Sequence, residues 1–170
     1  FPGEVRALKV DCECRKPKPG MLNAAMQAMN IRAVDSWMVG DSTADVLASQ
    51  RAGLRSVLVA TGEGGRDSKY FPVADFRVGD IGGAARLIID EYPQVAHRLS
   101  DFLGRVQGGD LVLIGGLARS GKSTLAGVLR CELAARGMGA KVVPLDWWIR
   151  PTAEPGEGVR VRFGLDADAS

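Results

Sequence analysis

A stretch of ten residues, 115–124, has the composition and spacing of a loop that binds phosphate; it reads Gly-Gly-Leu-Ala-Arg-Ser-Gly-Lys-Ser-Thr. Four apolar residues, 111–114, precede it and residues 124–135 place apolar side chains at helical spacing, which predicts a strand, a turn and a helix. Backbone N–H groups and a helix N-terminus would then hold the β-phosphate of a nucleotide. The predicted nucleotide-binding residues are Gly116, Ser120, Gly121, Lys122, Ser123 and Thr124. Lys122 would reach the β- and γ-phosphates of ATP and Ser123 would bind Mg²⁺; the alternative is a glycine-rich turn that matches by chance.

Two carboxylates four residues apart form a second candidate group. Asp41 and Asp45 follow the apolar residues 37–39, a predicted buried strand, and a helix is predicted from there to Gly53. At the carboxyl end of a strand, such a pair can bind one Mg²⁺ shared with a substrate phosphate. The alternative is that they are only the N-cap and the first-turn charge of that helix.

The three cysteines make an odd count with no even framework, which argues against a disulfide-stapled secreted domain. Cys12 and Cys14 flank a single residue, a spacing that suits one corner of a tetrahedral Zn²⁺ site. A closed site needs four ligands, and the first 96 residues contain no other Cys or His. The sequence therefore predicts a zinc half-site, while Cys131 is interpreted as a packing residue of its helix.

Composition limits the classes of partner. The 170 residues include 22 basic and 20 acidic side chains spread along the chain, for a formal net charge of +2. Because no basic block is present, a nucleic-acid partner is not expected. No apolar run is long enough to cross a bilayer and the N-terminus has no signal pattern, so we expect a cytoplasmic protein without a membrane partner.

The elements that would position these residues follow from apolar periodicity. Residues 21–30 predict a helix whose methionine stripe is interpreted as core, and residues 56–60 and 76–78 predict two further strands. Residues 81–92 predict a helix that closes the first domain. Residues 93–107 predict an inter-domain helix that ends at a pair of glycines.

This order of parts resembles the second half of a haloacid-dehalogenase-type phosphatase. The resemblance covers about residues 10–89 and is carried by the basic pair Arg15-Lys16, by Gly40-Asp41 with Asp45 following, and by a strand that ends at Thr61-Gly62. A more specific signal is Cys12-Glu13-Cys14-Arg15-Lys16-Pro17 followed by Pro19-Gly20-Met21. That pattern resembles the zinc-loop subgroup of heptose 1,7-bisphosphate and histidinol-phosphate phosphatases, and Pro19-Gly20-Met21 favours the former.

The resemblance implies roles for individual residues. Lys16 would stabilise the transferred phosphoryl group and Arg15 would contact the substrate. Asp41 would bind Mg²⁺ with Asp45 supporting it, and Cys12 and Cys14 would be the second pair of zinc ligands. The chemistry is consistent, because a phosphoryl group in transit needs a fixed cation and a metal aimed at the developing charge.

The resemblance also predicts groups that this sequence does not show. Family members attack phosphorus with an aspartate of an Asp-x-Asp pair on an N-terminal strand, and neither that pair nor the first zinc pair is present before Cys12. The later Asp166-Ala167-Asp168 follows charged residues and a glycine, a poor match for a buried strand. We therefore expect this sequence to be a fragment that lacks the phosphatase nucleophile.

The residues after the glycine-rich loop resemble the uridine kinase and phosphoribulokinase group. A second strand is predicted at residues 140–145, and Asp146, two tryptophans and Arg150 follow it directly. Asp146 could take the proton of an acceptor hydroxyl while Arg150 holds a substrate phosphate. The alternative is that Asp146 caps a turn and the tryptophans only pack.

Together these observations predict an α/β protein with parallel sheets. Residues 1–92 would be a partial Rossmann-like haloacid-dehalogenase domain, 93–109 a linker helix, and 110–170 a partial P-loop NTPase domain. The predicted function is a bifunctional enzyme, a Mg²⁺-dependent phosphatase of a heptose bisphosphate joined to an ATP-dependent kinase of a sugar or nucleoside. Zn²⁺ is a further candidate cofactor. The alternatives are a polynucleotide end-processing phosphatase/kinase and a kinase fused to a non-catalytic phosphatase-like domain.

Overall fold

The structure, a computed structural model, describes residues 12–144. The chain divides into two compact units, residues 1–140 and 141–170; every helix and strand below lies in the first. Its elements in chain order are α1 (Gly20–Ala28), a 3₁₀ turn (Ala33–Asp35), β1 (Trp37–Gly40), α2 (Thr43–Ala52), β2 (Arg55–Val59), β3 (Phe76–Val78), α3 (Ile81–Arg86), a π-helical turn (Leu87–Glu91), α4 (Tyr92–Arg98), α5 (Ser100–Leu103) and α6 (Lys122–Ala135).

The three strands form a parallel sheet in the order β1-β2-β3. Val39 of β1 lies opposite Val57 of β2, which in turn lies opposite Phe76 of β3. Because the strands are parallel, their carboxyl ends meet at one edge, where the residues following β1 and β2 are brought together. The predicted α/β fold with a parallel sheet is confirmed for the part of the chain that contains β1, β2 and β3.

Both faces of the sheet are covered, as alternation along β2 requires. Leu58 points to one face and packs with Val46 of α2 and with Ala74. Val57 and Val59 point to the other face. The main core lies there and contains Val57, Val59, Phe76, Ala84, Leu87, Tyr92, Val128 and Cys131.

Helix α6, which follows the glycine-rich loop, covers this second face. Its side chains Val128 and Cys131 are buried in the main core. Gly127 allows the close approach, because a Cβ there would lie 2.7 Å from both the Asp75 carbonyl oxygen and Cε1 of Phe76. Arg130 forms an ion pair with Asp75. The helix predicted to belong to a second module therefore packs on the sheet of the first.

Residues 81–98 run as a nearly continuous helix. The π-helical turn Leu87–Glu91 links α3 to α4, and Pro93 lies in the first turn of α4. Proline has no N–H to donate and its ring crowds the preceding turn, so a widened turn at this point accommodates it without ending the helix. The sequence predicted a break there, at Pro93, and instead the helix continues through it.

Several predictions about elements are wrong. Residues 111–114 form no strand; Leu111 and Leu113 are 83% and 81% exposed. The second predicted strand is also absent from residues 140–144, its described part. Met21 and Met29 of the predicted core stripe are exposed, and α1 buries no side chain. The domain bounds at residues 92 and 109 stay a prediction. Within residues 12–144, no helix combines the length and apolarity needed to span a membrane.

Candidate functional site

The carboxyl edge of the sheet gathers residues from three parts of the chain. Asp41 and Ser42 follow β1 directly, Asp45 lies in the first turn of α2, and Lys16 reaches the same edge from the segment before α1. The loop after β2, residues 61–70, passes over this edge and is called the strap loop below. Small residues permit this crowding, because a Cβ on Gly40 would lie 2.4 Å from Cβ of Asp45.

Asp45 is held by two neighbours. Its Oδ1 forms an ion pair with Nζ of Lys16, and its Oδ2 accepts hydrogen bonds from the backbone N–H and the hydroxyl of Ser42, at 3.2 and 2.8 Å. Ser42 in turn accepts from the Asp45 N–H, completing a capping box at the start of α2. The Asp45 side chain is only 7% exposed, whereas that of Lys16 is 43% exposed.

The charge state of Asp45 follows from these contacts. Burial raises the pKa of its carboxyl group, but hydrogen bonds from Lys16 and Ser42 outweigh burial, and the net direction is downward. Asp45 is therefore a carboxylate at neutral pH, paired with Lys16. A cation, Lys16, is thus held near the end of β1 by its ion pair with Asp45, and its side chain is partly open to solvent.

Asp41 is oriented by the strap loop. Its Oδ2 accepts the Glu63 N–H at 2.9 Å, and its backbone oxygen accepts the Gly65 N–H at 2.7 Å. Gly62, at φ +65°, is required at this crossing because a Cβ there would lie 2.1 Å from Oδ2 of Asp41. Its other oxygen, Oδ1, has no hydrogen-bond partner among the residues that the structure describes.

These contacts test whether a metal ion would fit. Mg²⁺ commonly binds one or two carboxylates, water and a substrate phosphate, so Asp41 with its Oδ1 available fits this role. Both oxygens of Asp45 are already engaged by Lys16 and Ser42. Asp45 fits better as the residue that holds Lys16 than as a direct ligand. Within residues 12–144, no group of three or more His, Cys, Asp or Glu side chains is arranged as a metal site.

Cys12 and Cys14 lie close enough for their thiols to interact. The Cys14 thiol lowers the pKa of Cys12 through a hydrogen bond, and the same contact raises the pKa of Cys14. In the described part of the chain, no third or fourth ligand accompanies them. These two thiols alone do not fit a closed structural zinc site.

Arg15, the predicted substrate contact, is exposed. Asp146 and Arg150 lie outside the described residues. The structure thus brings Lys16 and Asp45 into contact. Asp41 immediately precedes Ser42, the N-cap of α2.

Sequence reasoning missed Asp67 of the strap loop. Its carboxylate accepts the Thr43 N–H at 2.9 Å and the Thr43 hydroxyl at 2.7 Å. The backbone N–H of Thr43, then its hydroxyl, lower the pKa of Asp67. Nothing in the spacing of residues 43 and 67 signals this pair. The nearest hint was an acidic residue within a glycine-rich loop that follows a strand.

The glycine-rich loop has a compact backbone at the start of α6. Gly116 and Gly121 have φ values of +153° and +84°, and Arg119 has +60°. Nζ of Lys122 donates to the carbonyl oxygens of Gly116 and Leu117, at 2.9 and 2.6 Å, so the lysine folds back over the loop. Ser120 and Ser123 are exposed, and α6 begins at Lys122, two residues before the predicted start at residue 124.

Comparison with known proteins bears on the first of these two regions. Residues 13–82 match the family model described as HAD-hydrolase-like. Residues 13–82 are thus similar to this family.

Curated relatives align with part of the chain. The chain is 42% identical over 79 residues to a D-glycero-beta-D-manno-heptose-1,7-bisphosphate 7-phosphatase of Pseudomonas putida, covering 46% of this chain and 45% of that protein. It is 52% identical over 54 residues to the enzyme of that name from Pasteurella multocida, covering 31% and 29%. The chain therefore spans less than half the length of these relatives.

A solved structure aligns as well. It is a D,D-heptose 1.7-bisphosphate phosphatase from B. bronchiseptica complexed with magnesium and phosphate, 29% identical, with a TM-score of 0.45. The alignment covers 49% of this chain and 48% of that one. The haloacid-dehalogenase-like segment contains Lys16, Asp41, Asp45 and the strap loop, whereas the matched family region ends before the glycine-rich loop.

Proposed function

We propose that the haloacid-dehalogenase-like segment is part of a Mg²⁺-dependent phosphatase that acts on a sugar bisphosphate of the heptose class. The observation that carries this proposal is the Lys16–Asp45 ion pair beside Asp41, at the carboxyl edge of a parallel sheet. The names of the aligned relatives support the substrate class.

In this proposal each residue has a separate task. Lys16 donates hydrogen bonds to the phosphoryl oxygens and balances their charge. Asp45 keeps the ammonium group of Lys16 in place. Asp41 would hold Mg²⁺ through Oδ1, and the bound ion would neutralise developing negative charge on the phosphoryl group. Arg15 would contact the rest of the substrate. We assign no attacking group, because the nucleophile is predicted to lie outside this sequence.

The experiment is phosphate release from a heptose 1,7-bisphosphate by the full-length protein that carries this segment. We expect Lys16→Ala to lower kcat/KM about 100-fold or more, because a fixed charge aimed at the transferred group is lost. Lys18→Ala is the matched control: this lysine, two residues away, pairs with Glu13. Equal activity of the Lys16→Ala and wild-type proteins would reject the proposal.

A second function is favoured by the glycine-rich loop. We propose that residues 116–124 bind ATP and that the same protein transfers its γ-phosphoryl group to a sugar or nucleoside hydroxyl. The supporting observation is that Lys122 contacts two carbonyl oxygens of the glycine-rich loop at the N-terminus of α6, where a helix favours an anion. Ser123 would bind Mg²⁺, with Ser120, Gly121 and Thr124 contributing to the phosphate contacts. Asp146 and Arg150 would act on the acceptor.

The assay that separates these functions follows phosphate release and phosphoryl transfer independently. Sugar phosphates, nucleosides and oligonucleotides are supplied in turn, with ATP for the transfer reaction. Transfer to oligonucleotide ends, with a steep salt dependence, would favour the polynucleotide end-processing alternative. Transfer without any phosphate release would favour a kinase with a non-catalytic phosphatase-like part. Zinc binding and a cytoplasmic location stay predictions.

A further inference from the structure

The strap loop is fixed at two points on the carboxyl edge of the sheet. At one point, the Glu63 and Gly65 N–H groups bind Oδ2 and the backbone oxygen of Asp41. At the other point, Asp67 accepts two hydrogen bonds from Thr43, and the hydroxyl of Thr43 accepts the Tyr70 N–H at 3.2 Å. Along the loop, Asp67 lies two residues after Gly65 and four after Glu63.

The second attachment is the stronger one. Thr43 is buried and is the first residue of α2, a helix whose N-terminal N–H groups need acceptors. The Asp67 carboxylate satisfies one of these N–H groups with a charge-assisted bond and takes the hydroxyl proton of the same residue. The attachment at Asp41 has one charge-assisted bond, from the Glu63 N–H to the carboxylate, and one bond between backbone groups. It also lies on a glycine-rich stretch, with positive φ at Gly62, Gly64 and Gly65. Such a stretch keeps one conformation only if something else holds it.

We propose that Asp67 is a positioning residue for Asp41, acting through the strap loop. The Asp67–Thr43 contact holds the loop so that Glu63 captures Oδ2 of Asp41 and turns Oδ1 toward the place where Mg²⁺ and a phosphate would bind. The effect on Mg²⁺ binding rests on the proposed phosphatase function. The effect of Asp67 on the position of Asp41 does not depend on that function.

The first test measures amide hydrogen exchange in the full-length protein, without substrate or metal. In Asp67→Ala, the Glu63 and Gly65 amides are expected to exchange about tenfold faster, because the bond that holds the loop closed is lost. Asp67→Asn keeps an acceptor for the Thr43 N–H but loses the charge, and should show an intermediate rate. Ser68→Ala is the control, since the Ser68 hydroxyl bonds only within the loop, to the Arg66 carbonyl oxygen.

A second variant approaches the same contact from α2. Thr43→Ala removes the hydroxyl that links Asp67 and Tyr70 and should accelerate the same two amides. If neither Thr43→Ala nor Asp67→Asn changes the exchange of Glu63 and Gly65 relative to Ser68→Ala, the proposal is overturned. This comparison holds even if Asp67→Ala does not fold.

The Mg²⁺ requirement provides the functional readout. In Asp67→Ala, the Mg²⁺ concentration for half-maximal phosphate release should rise about fivefold or more, with partial rescue in Asp67→Asn, because a loosened Asp41 is a poorer ligand. A merely structural role would lower the melting temperature without changing this concentration. If the wild-type protein releases no phosphate, the proposed function fails while the exchange experiment still decides the role of Asp67. If it is active and the variants keep the wild-type Mg²⁺ requirement and amide exchange, the role of Asp67 is refuted.

Discussion

At the scale of single residues, Asp41 and Asp45 divide two roles that their spacing alone suggested they share. Asp45 is nearly buried, paired with Lys16 and bonded to Ser42, whereas Asp41 keeps one carboxylate oxygen without a described partner. The helix-cap interpretation is confirmed for Asp45, which is the first-turn charge of α2, but the N-cap is Ser42 and not Asp41. The capping box belongs to Asp45, and the metal role fits Asp41.

The pairing of Asp45 makes stability depend on pH. Its folded-state pKa lies below the usual value, so its contribution is fully present above about pH 5 and is lost as pH falls through the folded-state pKa. We expect the wild-type advantage in urea unfolding over Asp45→Asn to be about 1–2 kcal/mol at pH 7, from the lost cap and ion pair. This difference in the free energy of unfolding should shrink steadily below about pH 4, because the carboxyl group of Asp45 then takes up a proton in the unfolded state.

Asp90→Asn is the control for this measurement. Asp90 is exposed and has no ion pair or hydrogen bond from its side chain among the described residues. An Asp45→Asn difference that stays constant from neutral pH to about pH 3 would show that the ion pair contributes nothing to folding.

The sequence was informative for residues next to a predicted strand end and uninformative for contacts across loops. Lys16, Asp41 and Asp45 could be proposed because a basic pair and a Gly-Asp step have a recognisable order along the chain. Asp67 could not, because its contact with Thr43 depends on how far the strap loop folds back over the sheet. No local pattern of residue types encodes that distance.

At the scale of elements, helix α6 packs closely against the sheet because Gly127 lets its backbone approach Asp75 and Phe76. Gly127→Ala should destabilise the protein by about 1–3 kcal/mol, because its Cβ would meet Phe76 and the Asp75 carbonyl at 2.7 Å. This effect opposes the gain of about 1 kcal/mol that alanine normally brings to a helix. Chemical denaturation of the two proteins measures it.

Gly108→Ala is the paired control, because a Cβ at Gly108 meets nothing within 4 Å. If Gly127→Ala proves more stable than the wild-type protein, α6 does not pack as closely against β3 as the structure shows.

A polar contact also joins α4 to α6. The Tyr92 hydroxyl donates to Oε1 of Glu132 at 2.6 Å, and Arg55 contacts both the Tyr92 ring and Glu132. Tyr92→Phe should cost about 1–2 kcal/mol, because the half-buried Glu132 loses a donor. In a double-mutant cycle with Glu132→Gln, the coupling energy should exceed about 0.5 kcal/mol. Strict additivity would mean that this contact does not join the two helices.

Sequence periodicity predicted the strands of the sheet and failed for another apolar run. Residues 37–40, 55–59 and 76–78 were recognisable as strands because each carries apolar side chains that pack in the main core, although Arg77 of β3 is exposed. The apolar run at 111–114 looked the same, yet it pairs with no strand in the described chain and lies largely exposed. A short apolar run indicates that its side chains favour burial, but it does not indicate which strand or helix will bury them.

At the scale of the whole first unit, the two phosphate-related patterns are joined through a common core. Strands β1, β2 and β3 carry the Lys16, Asp41 and Asp45 site at their carboxyl edge, while the helix that follows the glycine-rich loop supplies Val128 and Cys131 to the core on one face. Leu129 and Leu133 of the same helix pack with Leu103 of α5. The glycine-rich loop is therefore attached to an element that the sheet needs for its own burial.

Ligand binding to the loop should consequently stabilise the sheet as well. We expect ATP with Mg²⁺ at 100 times its dissociation constant to raise the free energy of unfolding by about 2.7 kcal/mol, since it binds only the folded form. Hydrogen exchange should slow in β2 and β3 together with α6, because opening of the sheet exposes the face that α6 covers. Lys122→Ala should abolish both effects, whereas Arg136→Ala, at the exposed far end of α6, should retain them. Slower exchange confined to residues 116–124 would show that the loop and the sheet are energetically independent despite their shared core.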